Sequence, residues 1–287
     1  MSVTKRKQQS KGANNLSGAT RVVTYICLAW ALIVALFPIT WLILSSLKEN
    51  PMARPGFQLP EAIYLEGYIS TFLDLHVMRY FGNSLLIAGI SVIISVVTIS
   101  MSAYVVARME FKGKKLVSIL LYSTMFIPAT ALTYPVYNLI NRLHLYNTRG
   151  ALILIYSCSG IAVSFFVIKN YYSNIPKDLE EAARVDGCGY VQTFIKVIFP
   201  IARPGIATAA VLAFFSNWNE YYWASLVLID RKKMTVPALL STFTTAFATN
   251  YNGLFSAMVI IILPPIILYC CFSKFFIEAL SGGAVKG

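Results

Sequence analysis

The 287-residue chain is 57 % hydrophobic and only 13 % charged, with a mean hydropathy of +0.66. A soluble domain carries roughly 25 % charged residues and has too little interior to hide this much apolar surface, so the solvent is a bilayer. Disorder, fibrous structure and a secreted disulfide scaffold are excluded, and the formal charge of +12 is explained by its distribution along the chain rather than by nucleic acid.

Residues 1–20 read as a flexible polar extension. Six apolar stretches of spanning length follow, at 22–47, 81–107, 116–140, 151–168, 205–229 and 254–276. The first comes after Lys5, Arg6, Lys7, Lys11 and Arg21, like a signal peptide. It is longer than an h-region of about 7–15 residues and lacks a nearby small-residue cleavage site, so it is expected to stay as an anchor. The fold class predicted is an all-α polytopic membrane protein with six transmembrane helices. Pro38, Pro128, Pro135 and the Pro264-Pro265 pair fall within spans, where each removes a backbone hydrogen bond and invites a kink.

Of the 24 Lys and Arg, sixteen lie in the N-terminus, at 108–115, at 169–204, and at Lys274 near the end of the last stretch with Lys286 in the tail, and eight lie in the three alternate loops. The positive-inside rule therefore places both termini and the long 169–204 loop in the cytoplasm. The cysteines Cys27, Cys158, Cys188, Cys270 and Cys271 show no CxxC spacing and no histidine partners, and read as small hydrophobes. His76 and His144 fall in outside loops as bystanders.

The 169–204 loop is expected to form two short helices along the cytoplasmic face. Pro176 suits a first helical position, and Asp178, Glu180 and Glu181 favour the positive end of the dipole. Gly187 supplies a left-handed cap. Beyond it, Tyr190, Val191, Phe194, Ile195 and Ile198 recur at helical spacing until Pro200 and Pro204.

Within that loop, Glu181-Ala182-Ala183-Arg184-Val185-Asp186-Gly187, with Pro200 and Pro204 beyond, resembles the EAA loop of binding-protein-dependent ABC importer permeases. The resemblance implies a coupling helix seated in a cytoplasmic ATPase dimer, with Glu181, Ala182, Ala183, Asp186, Gly187 and Pro200 as coupling residues. The side chains of Ala182 and Ala183 are short enough for close approach of another surface, and Glu181 and Asp186 can fix register by charge-assisted hydrogen bonds. Cys188 stands where an alanine is common in the family.

Further segments resemble the carbohydrate-uptake permeases of the maltose-transporter type. They are Asn83-Ser84; Ala103-Tyr104 with Arg108, Phe111 and Gly113; Pro128 and Pro135 with Leu145, Asn147 and Thr148; and the tail from Gly282 to Gly287. The likeness extends over roughly residues 22–287 and implies a six-span permease domain over 21–280 and a glycine-rich cytoplasmic tail at 281–287 that reaches the ATPase pair. It also implies a second permease subunit and an extracellular or periplasmic sugar-binding protein, with the outside loop near 230–252 as its contact.

The fifth stretch carries Asn217, Trp218, Asn219, Glu220, Tyr221, Tyr222 and Trp223 near mid-membrane. A carboxylate there must face a cavity or a partner. On a continuous helix Asn217, Glu220 and Tyr221 share one face. Amides, a carboxylate and aromatic rings suit both the hydroxyl edges and the C–H faces of a sugar, so Asn217, Trp218, Glu220, Tyr221 and Tyr222 are candidates for a substrate pathway. Polar side chains bonding a neighbouring span are the other reading of the same residues.

No GxxxxGK[ST], HExxH, CxxC or GxSxG pattern occurs. The expectation is a transport subunit that is not itself an enzyme and holds no cofactor of its own, with ATP and Mg bound by the partner ATPase. An importer for amino acids, phosphate esters or metals shares the EAA loop, and a membrane-embedded transferase is a more distant alternative.

Overall fold

The computed structural model describes residues 18–53, 55–73, 76–243 and 249–284, so the extension at 1–17 and the last three residues of the tail lie outside the described residues. The chain divides into two compact units, Met1–Tyr68 with Asn250–Val259, and Ile69–Thr249 with Ile260–Gly287.

In the first unit, helix α1 (Gly18–Ser46) continues through Pro38. Its apolar side chains stand exposed from Val22 to Phe37, as a helix solvated by hydrocarbon or by another subunit allows. Near its end the helix is tied down. Trp41 meets the Phe255 ring edge-on at 5.4 Å, and the Asn252 amide donates to the carbonyls of Ser46 (3.1 Å) and Lys48 (2.7 Å), which have no partner within the helix. Helix α2 (Glu66–Leu73) approaches through Gly67, where a Cβ would lie 2.2 Å from Asn252 Oδ1. Only glycine fits there.

The second unit is built on α3 (Val77–Arg108), an unbroken 32-residue helix. At about 1.5 Å per residue it is about 48 Å long, more than the hydrocarbon thickness. Its buried stripe is rich in small residues, Ser84, Ala88, Ser91, Ser95, Ser100 and Ala103, which let other helices pack closely. Packed along it are α6 (Arg149–Cys158), α7 (Ile161–Ser173) and α10 (Arg203–Trp218). One core at its far end joins Tyr104, Phe165, Tyr172, Ile198 and Ile206, and another near its start joins Ile87, Leu152, Tyr156, Val227 and Leu228.

Three described helices are long and apolar enough to span unbroken, and counting each of three bent pairs as one span gives six. The breaks have local causes. The third stretch bends by 100° between α4 (Lys114–Ser123, extended by a 3₁₀ turn to Phe126) and a second 3₁₀ turn leading into α5 (Thr133–Arg142). Ile127 is extended because it precedes Pro128, as the ring requires. Pro135 causes no kink; it sits in the first turn of α5, where its missing N–H had no helical partner. The fourth stretch bends by 48° at Gly160, whose φ of +63° is left-handed.

The fifth stretch departs most from expectation. Helix α10 ends at Trp218, and only after Asn219, Glu220 and Tyr221 does α11 (Tyr222–Val227) begin. Asn217, Glu220 and Tyr221 therefore do not share a helical face, because a face requires continuous backbone. The chain then turns through 230–235 to the short buried α12 (Val236–Leu239) and a 3₁₀ turn at Leu240–Phe243. The last helix, α13 (Tyr251–Ala284), passes through Pro264 and Pro265 and carries the backbone to Ala284.

Candidate functional site

The two helices expected in the 169–204 loop are present as α8 (Asp178–Val185) and α9 (Tyr190–Ile201). Helix α8 starts two residues later than Pro176 suggested, with Lys177 at its N-cap and Asp178, Glu180 and Glu181 in the first turn. Its C-terminus is closed by paired hydrogen bonds, Cys188 N–H to the Ala183 carbonyl (2.9 Å) and Gly187 N–H to the Arg184 carbonyl (3.0 Å). That pattern needs a left-handed residue, and Gly187 supplies it at φ +82°. The Arg184 guanidinium lies 5.0 Å from the Tyr190 ring centre, bridging the two helices.

Helix α9 contains a π turn at Phe194–Ile198, closed by Phe199 N–H to the Phe194 carbonyl. Pro200 follows at once; it has no N–H to give, and the widened turn accommodates its ring. Half-buried Pro200 thus shapes the end of α9, which swings through 77° into α10 at Ala202. This bend sets α9 crosswise to the span. Phe194 packs against Tyr104 of α3 at 5.0 Å and Tyr172 of α7 at 6.3 Å, fixing α9 on the bundle end.

The faces of α8 divide sharply. Leu179, Glu181, Ala182, Val185 and Asp186 are exposed, Val185 at 88 %, and Tyr190, Val191 and Ile195 extend the exposed surface along α9. Ala183 is only 6 % exposed. Of the two alanines expected to admit another surface, Ala182 points outward, while Ala183 faces the chain's own domain, where its small side chain lets α8 lie close. Beside Ala183, Glu180 forms an ion pair with Arg108 Nε of α3 at 2.9 Å, with the side chains only 8 % and 4 % exposed. Arg108 also donates through Nη2 to the Ile175 carbonyl, in the link between α7 and α8. Across the neighbouring turn, Lys114 donates to Glu110 at 2.8 Å and holds that carboxyl below its ordinary value, with Lys177 acting in the same direction.

The polar segment lies elsewhere in the same unit. Glu220 is fully engaged: Oε2 accepts from Tyr156 Oη (2.7 Å) and the Ala224 N–H (3.2 Å), and Oε1 from the Trp223 N–H (2.8 Å). Its carboxylate therefore caps α11 and ties the break to α6. Asn217 and Trp218 are buried, with Asn217 Nδ2 and Trp218 Nε1 lacking hydrogen-bond partners among the described residues. Trp218 stacks on Phe214 at 5.7 Å and meets Phe81 at 5.9 Å. Tyr221 and Tyr222 are exposed, the latter hydrogen-bonded to Thr133 Oγ1 at 2.9 Å.

Near the start of α3, Asn83 Nδ2 donates to the carbonyls of Lys232 (3.0 Å) and Met234 (2.8 Å), and Ser84 Oγ accepts from Val236 N–H at 2.8 Å. Left-handed Asn147 accepts from the N–H groups of Ile229 and Asp230, both at 3.0 Å, and Thr148 Oγ1 caps α6. The 227–236 segment is thus stitched to two helices by backbone groups.

Residues 96–281 match the family described as binding-protein-dependent transport system inner membrane component. The chain belongs to this family. Among related permeases, an arabinooligosaccharide transport system permease protein of Halalkalibacterium halodurans is 34 % identical over 90 % of this chain and 94 % of that protein. A trehalose transport system permease protein of Mycobacterium tuberculosis is 33 % identical over 94 % of this chain and 100 % of its own length. The fold is shared with a bacterial ABC transporter involved in the import of the acidic polysaccharide alginate (TM-score 0.79, 24 % identity, covering 91 % of this chain and 99 % of that chain). A lower likeness joins it to the MetNI methionine ABC transporter (TM-score 0.53, 15 % identity, covering 70 % and 95 %). As a binding-protein-dependent permease, this chain is an inner-membrane transport component with the all-helical fold of ABC importers.

Glu180, Arg108 and Tyr156 escaped the sequence reading as site residues. Glu180 was legible only as a first-turn acid, Arg108 as the end of a span and one residue of the family likeness, and Tyr156 as one more apolar-run aromatic. No linear spacing joins any of them to its partner.

Proposed function

We propose that this chain is one of two permease subunits of an ATP-driven importer for a sugar or oligosaccharide, with both termini in the cytoplasm. The arabinooligosaccharide and trehalose permeases it resembles support the substrate class. The single observation that carries the mechanism is the exposed face of α8 and α9. Apolar Leu179, Val185, Tyr190 and Val191 stand in solvent beside Glu181, Ala182 and Asp186, on helices whose other side is anchored by a buried ion pair. A surface of that kind suits a second protein, and the partner we assign is the ATPase dimer, which binds ATP and Mg; hydrolysis is carried out there.

Closure of the motor on ATP pushes α8 and opens the path outward to a docked binding protein; hydrolysis returns it inward. The exposed apolar length of α1 supports contact with lipid and with the second permease. For the solute path, Tyr221 and Tyr222 are the exposed aromatic groups at the break, while Asn217, Trp218 and Glu220 shape it from behind. The 230–236 turn is assigned to binding-protein contact.

Two measurements test this reading. ATPase stimulation in the reconstituted complex, with binding protein loaded in turn with arabinooligosaccharide, trehalose, an amino acid or a phosphate ester, is expected to respond to a saccharide; response only to a non-sugar overturns the substrate class. Val185→Asp is expected to abolish uptake while membrane insertion stays normal. Normal uptake in that variant overturns the docking assignment.

A further inference from the structure

Among the described spans, α3 alone has neither a proline nor a break: α1 contains Pro38, α13 contains Pro264 and Pro265, and the other three are bent pairs. Its two ends hold different things. Near one end, buried Asn83 and Ser84 grip the backbone of Lys232, Met234 and Val236. At the other, Arg108 holds Glu180 of α8 and the Ile175 carbonyl. From Asn83 to Arg108 the helix rises by about 38 Å, at about 1.5 Å per residue.

The inner contact pairs two buried charges, Arg108 Nε and Glu180 Oε1, which meet by charge and not along a hydrogen-bond line, and adds a directional hydrogen bond from Arg108 Nη2 to the Ile175 carbonyl. Without it, α8 would be held to the bundle by the 174–177 link, by the packing of Ala183 and by ring contacts of α9, apolar contacts that tolerate sliding. A buried charge pair does not slide, because moving one partner leaves the other unpaired in a low-dielectric site. The outer contact is directional: an amide donating to two carbonyls and a hydroxyl accepting one N–H fix the loop's position and register. A stiff helix with a fixed joint at each end transmits displacement from one to the other.

We propose that Glu180 and Arg108 are positioning residues that join α8 to α3, so that α3 carries the state of the 230–236 loop to the motor face as one rigid body. This rests on the importer reading above. The joints act in series: a signal that must pass both is lost when either fails, and losing the second removes nothing more.

The test uses the assembled importer in proteoliposomes, reading ATPase rate with and without saturating binding protein. Glu180→Gln keeps size and one acceptor oxygen but removes the charge; Arg108→Lys keeps charge but loses the guanidinium fork and serves if the first variant assembles poorly; Asn83→Ala opens the outer joint. Each is expected to leave basal ATPase near wild type and to cut the stimulation by about tenfold, the scale of a typical coupling free energy. The double variant Asn83→Ala with Glu180→Gln is expected to be no worse than either single one, although sites so far apart normally act additively. Unchanged stimulation in the single variants, or additive losses in the double, overturns the proposal. A wild-type complex whose ATPase ignores its binding protein overturns the importer reading instead, and is recognised before any variant is made.

Discussion

Replacing Glu220 separates two roles that a carboxylate at the break after α10 can have. Its oxygens accept from Tyr156 Oη, Trp223 N–H and Ala224 N–H. Glu220→Ala strands the Tyr156 hydroxyl, on a residue only 2 % exposed, and uncaps α11. A buried hydroxyl without a partner costs about 1–3 kcal/mol and a lost cap about 1 kcal/mol, so the loss is about 2–4 kcal/mol. Glu220→Gln retains an acceptor for the backbone and an amide that can donate to Tyr156, and is expected to lose about 1 kcal/mol through the missing charge. Thermal unfolding of the purified complex in detergent, followed by size-exclusion chromatography, orders the three proteins: wild type, then Gln, then Ala. Tyr156→Phe in a double-mutant cycle with Glu220→Ala is expected to show that the two losses overlap. An Ala variant that melts like wild type yet fails to transport would refute the reasoning and make the carboxylate a solute-contacting group.

Two further outcomes follow from the geometry of α8. Ala183→Leu is expected to overpack the buried face at a cost of about 1–3 kcal/mol and to lower the yield of assembled complex, whereas Ala182→Leu assembles normally and loses uptake; parallel yield and uptake measurements check the contrast. Gly187→Ala puts a Cβ at a left-handed position, costing about 1–2 kcal/mol, and is expected to fray the end of α8, read as faster protease cleavage near 185–190 and reduced ATP-driven uptake.

The sequence located α8 and its glycine stop well because both depend on local backbone rules: acids at the first turn, a left-handed residue at the end. It marked Pro128 as one of five prolines that invite a kink; of these only Pro128 sits at a break, where it restricts Ile127 to extended backbone. The breaks at Gly160 and Trp218 were not legible, whereas the bend at Ala202 falls between Pro200 and Pro204, where the helical pattern was expected to stop. Hydropathy reports whether side chains tolerate hydrocarbon and is silent on whether the backbone between them stays helical. Across Asn219–Tyr221 the residues themselves permit a helix; what holds them out of it is the Glu220 carboxylate, drawn to Tyr156 and to the start of α11.

Composition and patterning by themselves determined that the chain suits a bilayer, that six apolar runs are long enough to cross one and that the long basic loop carries helices. These are statements about transfer of side chains between solvents and about neighbouring residues, which a linear string contains. Tertiary structure alone decided how α8 is rotated. Its exposed side holds Leu179 and Val185 while its buried side holds Glu180, the reverse of what burial preferences select. In so short a helix the choice passes to the neighbours, and Arg108 from the end of another span repays the desolvation of Glu180 that no local interaction offsets.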